Sequence, residues 1–440
     1  MVVHPVQLRT SETIPASRLS RQDEGTVRSD RAASTTTPRR VLYVLSQFPS
    51  LSETFIVREM RALMDSGVDV RILSLKLASD RIVQPQAAAM SDRVWYPAGR
   101  AKTTLTALAT LFRQPVVTLA FLATLLREFW RRPVILAKSL VAVFRAVGRI
   151  EDMRGFAPQL IHAPWATYPA TVAWLLSRLL ERPFSFTSRA HDIFIEDHMM
   201  ARKLESAALA VTITEFNRRY MARWMPRPGA IPVEVVHSSL DLPQLAFVRS
   251  DRPPNKLLSV GRLVPMKGFD LLLAALAQLR SRGVEVSCTI IGEGPERGRL
   301  EALRTTLGLE SLVEFPGAMP QSEVVRHMGD STLMVLPCIV APNGQSDGIP
   351  NVLMESMATG LPVISTRISG IPELVEDGVN GCLVPSGDVS ALAAAIEALL
   401  QDPARREVFA IAGRRKVEAD FDVRIEAGRL LDHFGRACHG

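Results

Sequence analysis

The sequence has little cysteine: four in 440 residues, at positions 288, 338, 382 and 438. Their separations of 50, 44 and 56 residues leave no C-x-x-C pair, which excludes a disulfide framework and a cysteine-built zinc site and implies reduced thiols. Aromatic residues make up only 6%, and no helix-turn-helix, zinc-finger or RNP-like aromatic pattern occurs. The net charge of +7 is therefore not read as a nucleic-acid footprint, and no nucleic-acid partner is expected. Acidic residues are nearly absent from 101–150, where Glu128 stands against eight Lys or Arg, an excess that equals the +7 of the whole chain. The longest uncharged stretch in that segment, Gln114 to Leu126, is 13 residues, too short to cross a bilayer. Residues 1–40 contain no aromatic and no apolar periodicity but eleven Ser or Thr, and are expected to form a disordered tail.

With 47% apolar and 22% charged residues the rest is ordinary globular protein, long enough for two or three domains. From residue 41 short apolar runs alternate with helical patterns. Strands are predicted at Val41–Leu45, Val68–Leu75, Gln159–His162, Phe184–Thr187, Ala210–Thr214 and Val233–His237, with helices at Glu53–Ser66 and Pro169–Leu180 between them. After a polar, Pro-containing linker at 243–256 the alternation restarts. Strands are predicted at Leu257–Val260, Val286–Ile291, Leu312–Phe315, Leu333–Leu336, Val363–Ser365 and Cys382–Val384. Such alternation implies parallel sheets covered on both faces, hence an α/β protein of two doubly wound, Rossmann-like domains with a cleft between them. The expected units are 41–242, a linker at 243–256, 257–420, and a helix at 421–440 packing back on the first domain. The basic segment 101–150 reads either as amphipathic helices lying in a membrane interface or as a helical hairpin packed on its own domain with a solvated basic face.

Ligands of open α/β sheets sit beyond the carboxyl ends of strands. There, Gly261 lets the backbone approach a ligand, while Arg262 and Lys267 present two cations suited to a diphosphate. Ile291-Gly-Glu-Gly-Pro295 reads as a tight turn that either touches a nucleotide base through Gly294 or binds nothing. In the stretch from Gly344 to Glu373, Asp347 and Glu355 stand eight residues apart across a loop and the start of a helix. Pro350 fits that helix's first turn, and the turn at Gly370 opens a second nest of amides.

The 344–373 stretch resembles the signature of the retaining glycosyltransferases of family four, two acids followed by Ala-x-Gly-x-Pro-Val and Gly-x-Pro-Glu. Val260-Gly-Arg-Leu-Val-Pro-Met-Lys-Gly268 looks like that family's donor-phosphate motif. Phe48-Pro-Ser-Leu-Ser-Glu-Thr-Phe-Ile56, His162-Ala-Pro-Trp-Ala166 and Phe186-Thr-Ser-Arg-Ala-His-Asp-Ile-Phe194 are similar to segments of a subgroup that builds bacterial exopolysaccharide and colanic-acid units.

The resemblance implies the two-Rossmann GT-B fold, with the acceptor held by the first domain and a nucleotide-diphosphate sugar by the second. Glu355 would take the ribose, Asp347 the donor sugar, and Arg262 with Lys267 the departing diphosphate, without a metal. Gly261, Gly294, Gly348, Ile349, Pro350, Asn351 and Gly370 would line the donor site, and Ser52, Glu53, Thr54, His162 and Asp192 the acceptor side. Asp347 stands where the family usually has Glu, and Arg189 where it usually has a catalytic His. His191, two residues on, would point the same way as Arg189 if the strand continued.

The expected activity is retaining transfer of a sugar to a lipid-linked saccharide, at the inner face of the cytoplasmic membrane. It needs no cofactor beyond the nucleotide-sugar substrate. Competing readings are a sugar-nucleotide epimerase or phosphorylase on the same fold, and a degenerate scaffold that binds nucleotide-sugar or membrane.

Overall fold

The computed structural model describes residues 37–50, 53–78, 85–225, 233–248 and 252–439. The expected tail lies outside these as far as residue 36, as does Ser52. Two parallel sheets organise the chain. The first has seven strands in the order β3-β2-β1-β4-β5-β6-β7: β1 Arg40–Leu45, β2 Asp69–Ser74, β3 Val94–Trp95, β4 Leu160–Ala163, β5 Phe184–Ser188, β6 Leu209–Thr212 and β7 Val233–Val235. The second has six in the order β10-β9-β8-β11-β12-β13: β8 Lys256–Val260, β9 Ser287–Ile291, β10 Val313–Gly317, β11 Leu333–Leu336, β12 Val363–Thr366 and β13 Cys382–Val384. In each, the order reverses beside the first strand, which creates a crevice at the carboxyl edge. Inner strands such as β4, β5, β6, β11 and β12 are buried at every position, because helices cover both faces, and β11, Leu-Met-Val-Leu, is apolar throughout.

Local chemistry sets the connections. In the helix Thr54–Asp65, Ile56, Val57, Met60 and Leu63 form one buried face. Gly67, at φ +89°, then turns the chain into β2. β1 and β2 pair in register from Arg40↔Asp69 to Leu45↔Ser74, so their following loops leave the sheet side by side.

Residues 100–147 fold into three helices, Arg100–Arg113, Pro115–Phe129 and Pro133–Val147. Phe121, Leu125, Phe129, Val143 and Ala146 from the last two join the first domain's core. The outer surface is also apolar: eleven of the eighteen exposed large hydrophobics among the described residues lie here, including Phe112 at 82% and Trp130 at 63% exposure. The segment therefore both packs internally and presents an apolar face, a concentration that marks an interaction surface. No single helix among the described residues is long and apolar enough to cross a membrane; Arg100–Arg113 and Pro115–Phe129 reach that length only together, bent by 109°.

The chain crosses between the sheets twice. After β7 it enters the second sheet, and after the helix Pro403–Asp420 it returns as the helix Val423–His439, whose Ala427, Leu430 and Phe434 pack with Val41, Tyr43 and Leu160 of the first. The two crossings run together: Leu240 N–H donates to Phe421 O (2.9 Å) and Val423 N–H to Leu240 O (3.0 Å).

A third link comes from the short helix Ile371–Leu374 of the second domain. Glu373 accepts hydrogen bonds from the backbone N–H groups of Glu215 (2.8 Å) and Phe216 (2.9 Å), which open the first domain's helix Glu215–Met221. His237 Nε2 lies 3.5 Å from the same carboxylate. Burial works to raise the Glu373 pKa, but the bonds from His237 and the two amides outweigh it and hold the carboxyl below its ordinary range. Its contribution to stability is full above its ordinary value, about 4.5, and is lost as pH falls through the lower folded value. Glu373→Gln should therefore cost about 1–3 kcal/mol at neutral pH, since two charge-assisted bonds weaken. Melting temperatures measured from pH 3 to 7 should converge with wild type at the acid end; parallel curves would show that the carboxylate's charge does not matter.

Candidate active site

The carboxyl edge of the second sheet is built from loops pressed against one another. Gly268, at φ +66°, starts the helix Phe269–Ser281 so close to Pro337 that a Cβ would stand 2.0 Å from its carbonyl oxygen. That contact brings Lys267 beneath the 338–350 loop, where its Nζ lies 2.6 Å from Asp347 Oδ2 in a largely buried ion pair. Cys338 Sγ is 3.8 Å from the same carboxylate. Burial works to lower the Lys267 pKa, yet Asp347 and the nearby thiol outweigh it and leave the ammonium above its ordinary range. Arg262 is exposed on the loop after β8 and enters no ion pair among the described residues. The turn after β9 packs under that loop: a Cβ on Gly294 would meet Leu263 O at 2.3 Å. The structure thus gives Gly294 a packing role, since the close approach is to protein backbone.

The opposite wall begins at Asp347. Pro350 is the residue before the helix Asn351–Ala358, one position earlier than expected, and Ile349 is buried beside it. Gly348 and Gly370 face the first domain. A Cβ on Gly348 would come within 3.3 Å of Ile213 Cδ1, and one on Gly370 within 2.5 Å of Thr214 Cγ2. Gly370 is therefore spent on domain contact.

One turn into the helix, Glu355 Oε1 accepts from Gln321 Nε2 (3.0 Å). Burial raises the Glu355 pKa, and Arg58 from the first domain opposes the shift. Arg58 donates through Nη2 to Thr54 Oγ1 (3.3 Å), and its own pKa is lowered by burial against the pull of Glu355 and Asp241. Thr54, Arg58 and Gln321, with Asp241 and Ser322, line an interdomain cavity of about 310 Å³. Arg58 and Gln321 are absent from the sequence-based list. Arg58 shares a helix face with Thr54, a local signal, whereas nothing near Gln321 in the sequence points to Glu355.

In the first domain β5 ends at Ser188, and Arg189 directly precedes the short helix Ala190–Phe194, its backbone N–H donating to the Asp192 side chain. The strand does not continue, so the period of two that would align His191 with Arg189 fails. The His191 ring is instead exposed, 3.8 Å from Glu196. His162 is also corrected: it is fully buried in β4, between Tyr43 and Phe434, with Nδ1 2.9 Å from Ser185 Oγ. Burial and then the Arg189 charge push its pKa down to about 3, so it is a neutral core histidine.

The Arg189 guanidinium is buried 4.0 Å over the Phe55 ring and donates to Ser238 Oγ (2.9 Å). Burial lowers its pKa against the pull of Glu59, Asp192 and Glu53, and its Nε is buried without a hydrogen-bond partner. Asp192 Oδ2 accepts from Ala166 N–H (3.1 Å) and Arg189 N–H (3.0 Å), and burial pushes its pKa up to about 6. Lys203 donates to the carbonyls of Ala166, Thr167 and His198, which ties down the loop after β4. Glu53 precedes the helix Thr54–Asp65.

The chain contains one Asp-x-Asp triplet, Asp420-Phe-Asp422, at the second crossing. There Asp420 pairs with Lys416 (2.7 Å) and Asp422 accepts from the Arg424 N–H. Among the described residues no three His, Cys, Asp or Glu side chains form a cluster able to hold a metal ion.

Comparison with known proteins places this geometry. Residues 245–416 match the family model "Glycosyl transferases group 1". The amylovoran biosynthesis glycosyltransferase AmsK of Erwinia amylovora is 39% identical over 179 residues, 41% of this chain and 44% of the relative. The putative colanic acid biosynthesis glycosyltransferase WcaL of Escherichia coli K12 is 40% identical over 179 residues, 40% of this chain and 44% of the relative. The matches span less than half the length of these curated relatives. Among solved structures, Anabaena Alr3699/HepE in complex with UDP and glucose superposes at a TM-score of 0.62, with 19% identity over 90% of this chain and 98% of that one. The sucrose-phosphate synthase of Thermosynechococcus elongatus reaches a TM-score of 0.66 at 20% identity over 89% and 97%. These structures speak for the fold alone: two facing sheets of the GT-B type. The second domain is thus similar, over residues 245–416, to the group 1 glycosyltransferases.

Proposed function

We propose that the protein transfers a sugar, with retention of configuration, from a nucleotide-diphosphate sugar to a lipid-linked saccharide in exopolysaccharide or cell-surface polysaccharide synthesis. The observation that carries this reading is the buried Lys267–Asp347 pair at the carboxyl edge of the second sheet, with Glu355 of the same domain opposed by Arg58 of the first. Such an arrangement suits a diphosphate leaving group. As the glycosidic bond breaks, negative charge grows on the β-phosphate, and Lys267 with Arg262 stabilises it most in the transition state. Lys267 is held charged by Asp347, so its proton is in place before the donor arrives. Asp347 then turns to the donor sugar and Glu355 to the ribose hydroxyls. The acceptor hydroxyl approaches on the face the diphosphate leaves, and no resident cofactor or metal is invoked. Relatives named for amylovoran and colanic acid biosynthesis, and a fold neighbour solved with UDP and glucose, support the substrate classes.

The same reading places the protein peripherally at the inner face of the cytoplasmic membrane, through the apolar and basic surface of residues 100–147. Phe112, Val116, Trp130 and Val134 are exposed there beside Lys102, Arg127, Arg131 and Arg132. Apolar side chains enter the interface while the cations meet anionic headgroups, each worth about 1 kcal/mol near such a surface.

Three outcomes follow from this assignment. Glu355→Ala should weaken nucleotide-sugar binding by about 10- to 100-fold, the value of lost hydrogen bonds to a charged group. Titration calorimetry reads this, and an unchanged affinity removes Glu355 from the donor site. Arg262→Ala combined with Lys267→Ala should lower kcat by at least about 10²-fold while the protein stays folded. Sugar transfer to extracted membranes is the assay; a wild-type protein that binds donor but neither transfers nor hydrolyses it would favour the scaffold reading. Replacing Phe112, Val116 and Trp130 by Ser should abolish flotation with anionic vesicles and spare donor binding; retained flotation would mean that this face does not meet the membrane.

A further inference from the structure

A second pocket, of about 310 Å³, opens at the carboxyl edge of the first sheet, apart from the interdomain cavity. Its floor is formed by Leu75 and Lys76, which directly follow β2, and its far side by Tyr168, which opens the helix Tyr168–Leu180. Its near wall is one face of the helix Pro133–Val147, where Ala137, Lys138, Val141 and Arg145 recur at helical spacing. Arg145 Nη1 donates to the Leu75 carbonyl (3.1 Å), which anchors the guanidinium at the strand end.

Three cations thus converge on a mostly apolar pocket that no acidic residue lines. Lys76 and Lys138 are exposed, and neither they nor Arg145 form an ion pair among the described residues. The pocket also has an apolar exit. Val141 both lines it and is exposed, and Val134, Leu140 and Phe144 are exposed on the same helix. A ligand that matches both features carries an anionic head on a hydrocarbon chain.

We propose that this pocket seats the phosphate end of a lipid-phosphate acceptor, a phosphate carried on a hydrocarbon chain. Lys76, Lys138 and Arg145 take the phosphate, and the first carbons of the chain run out along the Val141 face toward the membrane. The inference rests on the proposed transfer to a lipid-linked acceptor and names the site on this chain that would hold the lipid. Because the sheet is parallel, the pocket opens at the same edge as the loops bearing Arg189 and Thr54. A saccharide attached to the phosphate can therefore extend along that edge toward the cleft.

The test measures binding of farnesyl phosphate, farnesol and inorganic phosphate to the full chain by titration calorimetry without vesicles. Saturable binding of farnesyl phosphate is expected, at least about tenfold tighter than either of the others, because two contact types are engaged together. Lys76→Glu with Lys138→Glu should weaken it about tenfold or more. Ala137→Trp, which fills the pocket from an exposed position, should abolish it while the melting temperature and vesicle flotation stay unchanged. Equal binding of farnesol or of inorganic phosphate, or unaltered affinity in these variants, would overturn the proposal. A wild-type protein that binds farnesyl phosphate but no nucleotide-sugar would instead overturn the transferase reading and leave the pocket assignment intact.

Discussion

The clasp of Glu373 on the first helix amides of residues 215–221 is the interaction on which the two-sided site depends. Each parallel sheet delivers its loops to a single edge, so neither domain alone can enclose the cavity between them. The edges must come within contact distance, and the carboxylate achieves this by supplying negative charge to the positive end of a helix in the other domain. Glycine at 348 and 370 removes the side chains that would keep Ile213 and Thr214 away. Bonding and steric absence therefore act at the same place. Asp347 and Glu355 lie a few residues from these contacts, so the clasp also fixes their distance from Arg58.

Charge is handled differently in the two domains. In the second, Lys267 and Asp347 form one close, largely buried ion pair, which a ligand can reorganise. In the first, Arg189 sits among Glu59, Asp192 and Glu53, stacked on Phe55, and Lys203 saturates three carbonyls. Burial lowers the pKa of both side chains, that of Lys203 to about 7, and their hydrogen bonds reach Ser238 and the carbonyls of Ala166, Thr167 and His198. The family's usual histidine position is occupied here by the buried Arg189.

Much of the fold was legible because short apolar runs mark many of its strands, from Val41–Leu45 to Cys382–Val384. β3 was not, because two residues, Val94 and Trp95, carry no periodicity. Lys267 stands out in the sequence by its position after a strand, and Asp347 and Glu355 by the signature at 344–373; the structure brings Lys267 and Asp347 into contact. The histidines misled for distinct reasons. At 191 a strand rule was extended past Ser188, although Asp192, three residues after Arg189, has the spacing of a helix start. At 162 a polar residue within an inner strand was read as site-facing when burial on both sides already made it core. Arg58 and Gln321 answer to Glu355, and that relation exists only in three dimensions. The segment 101–150 left two readings open, and the structure contains elements of both, with one face packed and the other apolar and exposed.

The paired crossing at Leu240, Phe421 and Val423 carries a mechanical consequence. One covalent connection would act as a swivel, free to twist as well as bend. Two chain segments hydrogen-bonded side by side behave as the leaves of a door hinge, so relative motion of the sheets reduces to rotation about one axis. Rotation about that axis would change the separation of Glu355 and Arg58, which sit in different domains, without twisting one sheet against the other.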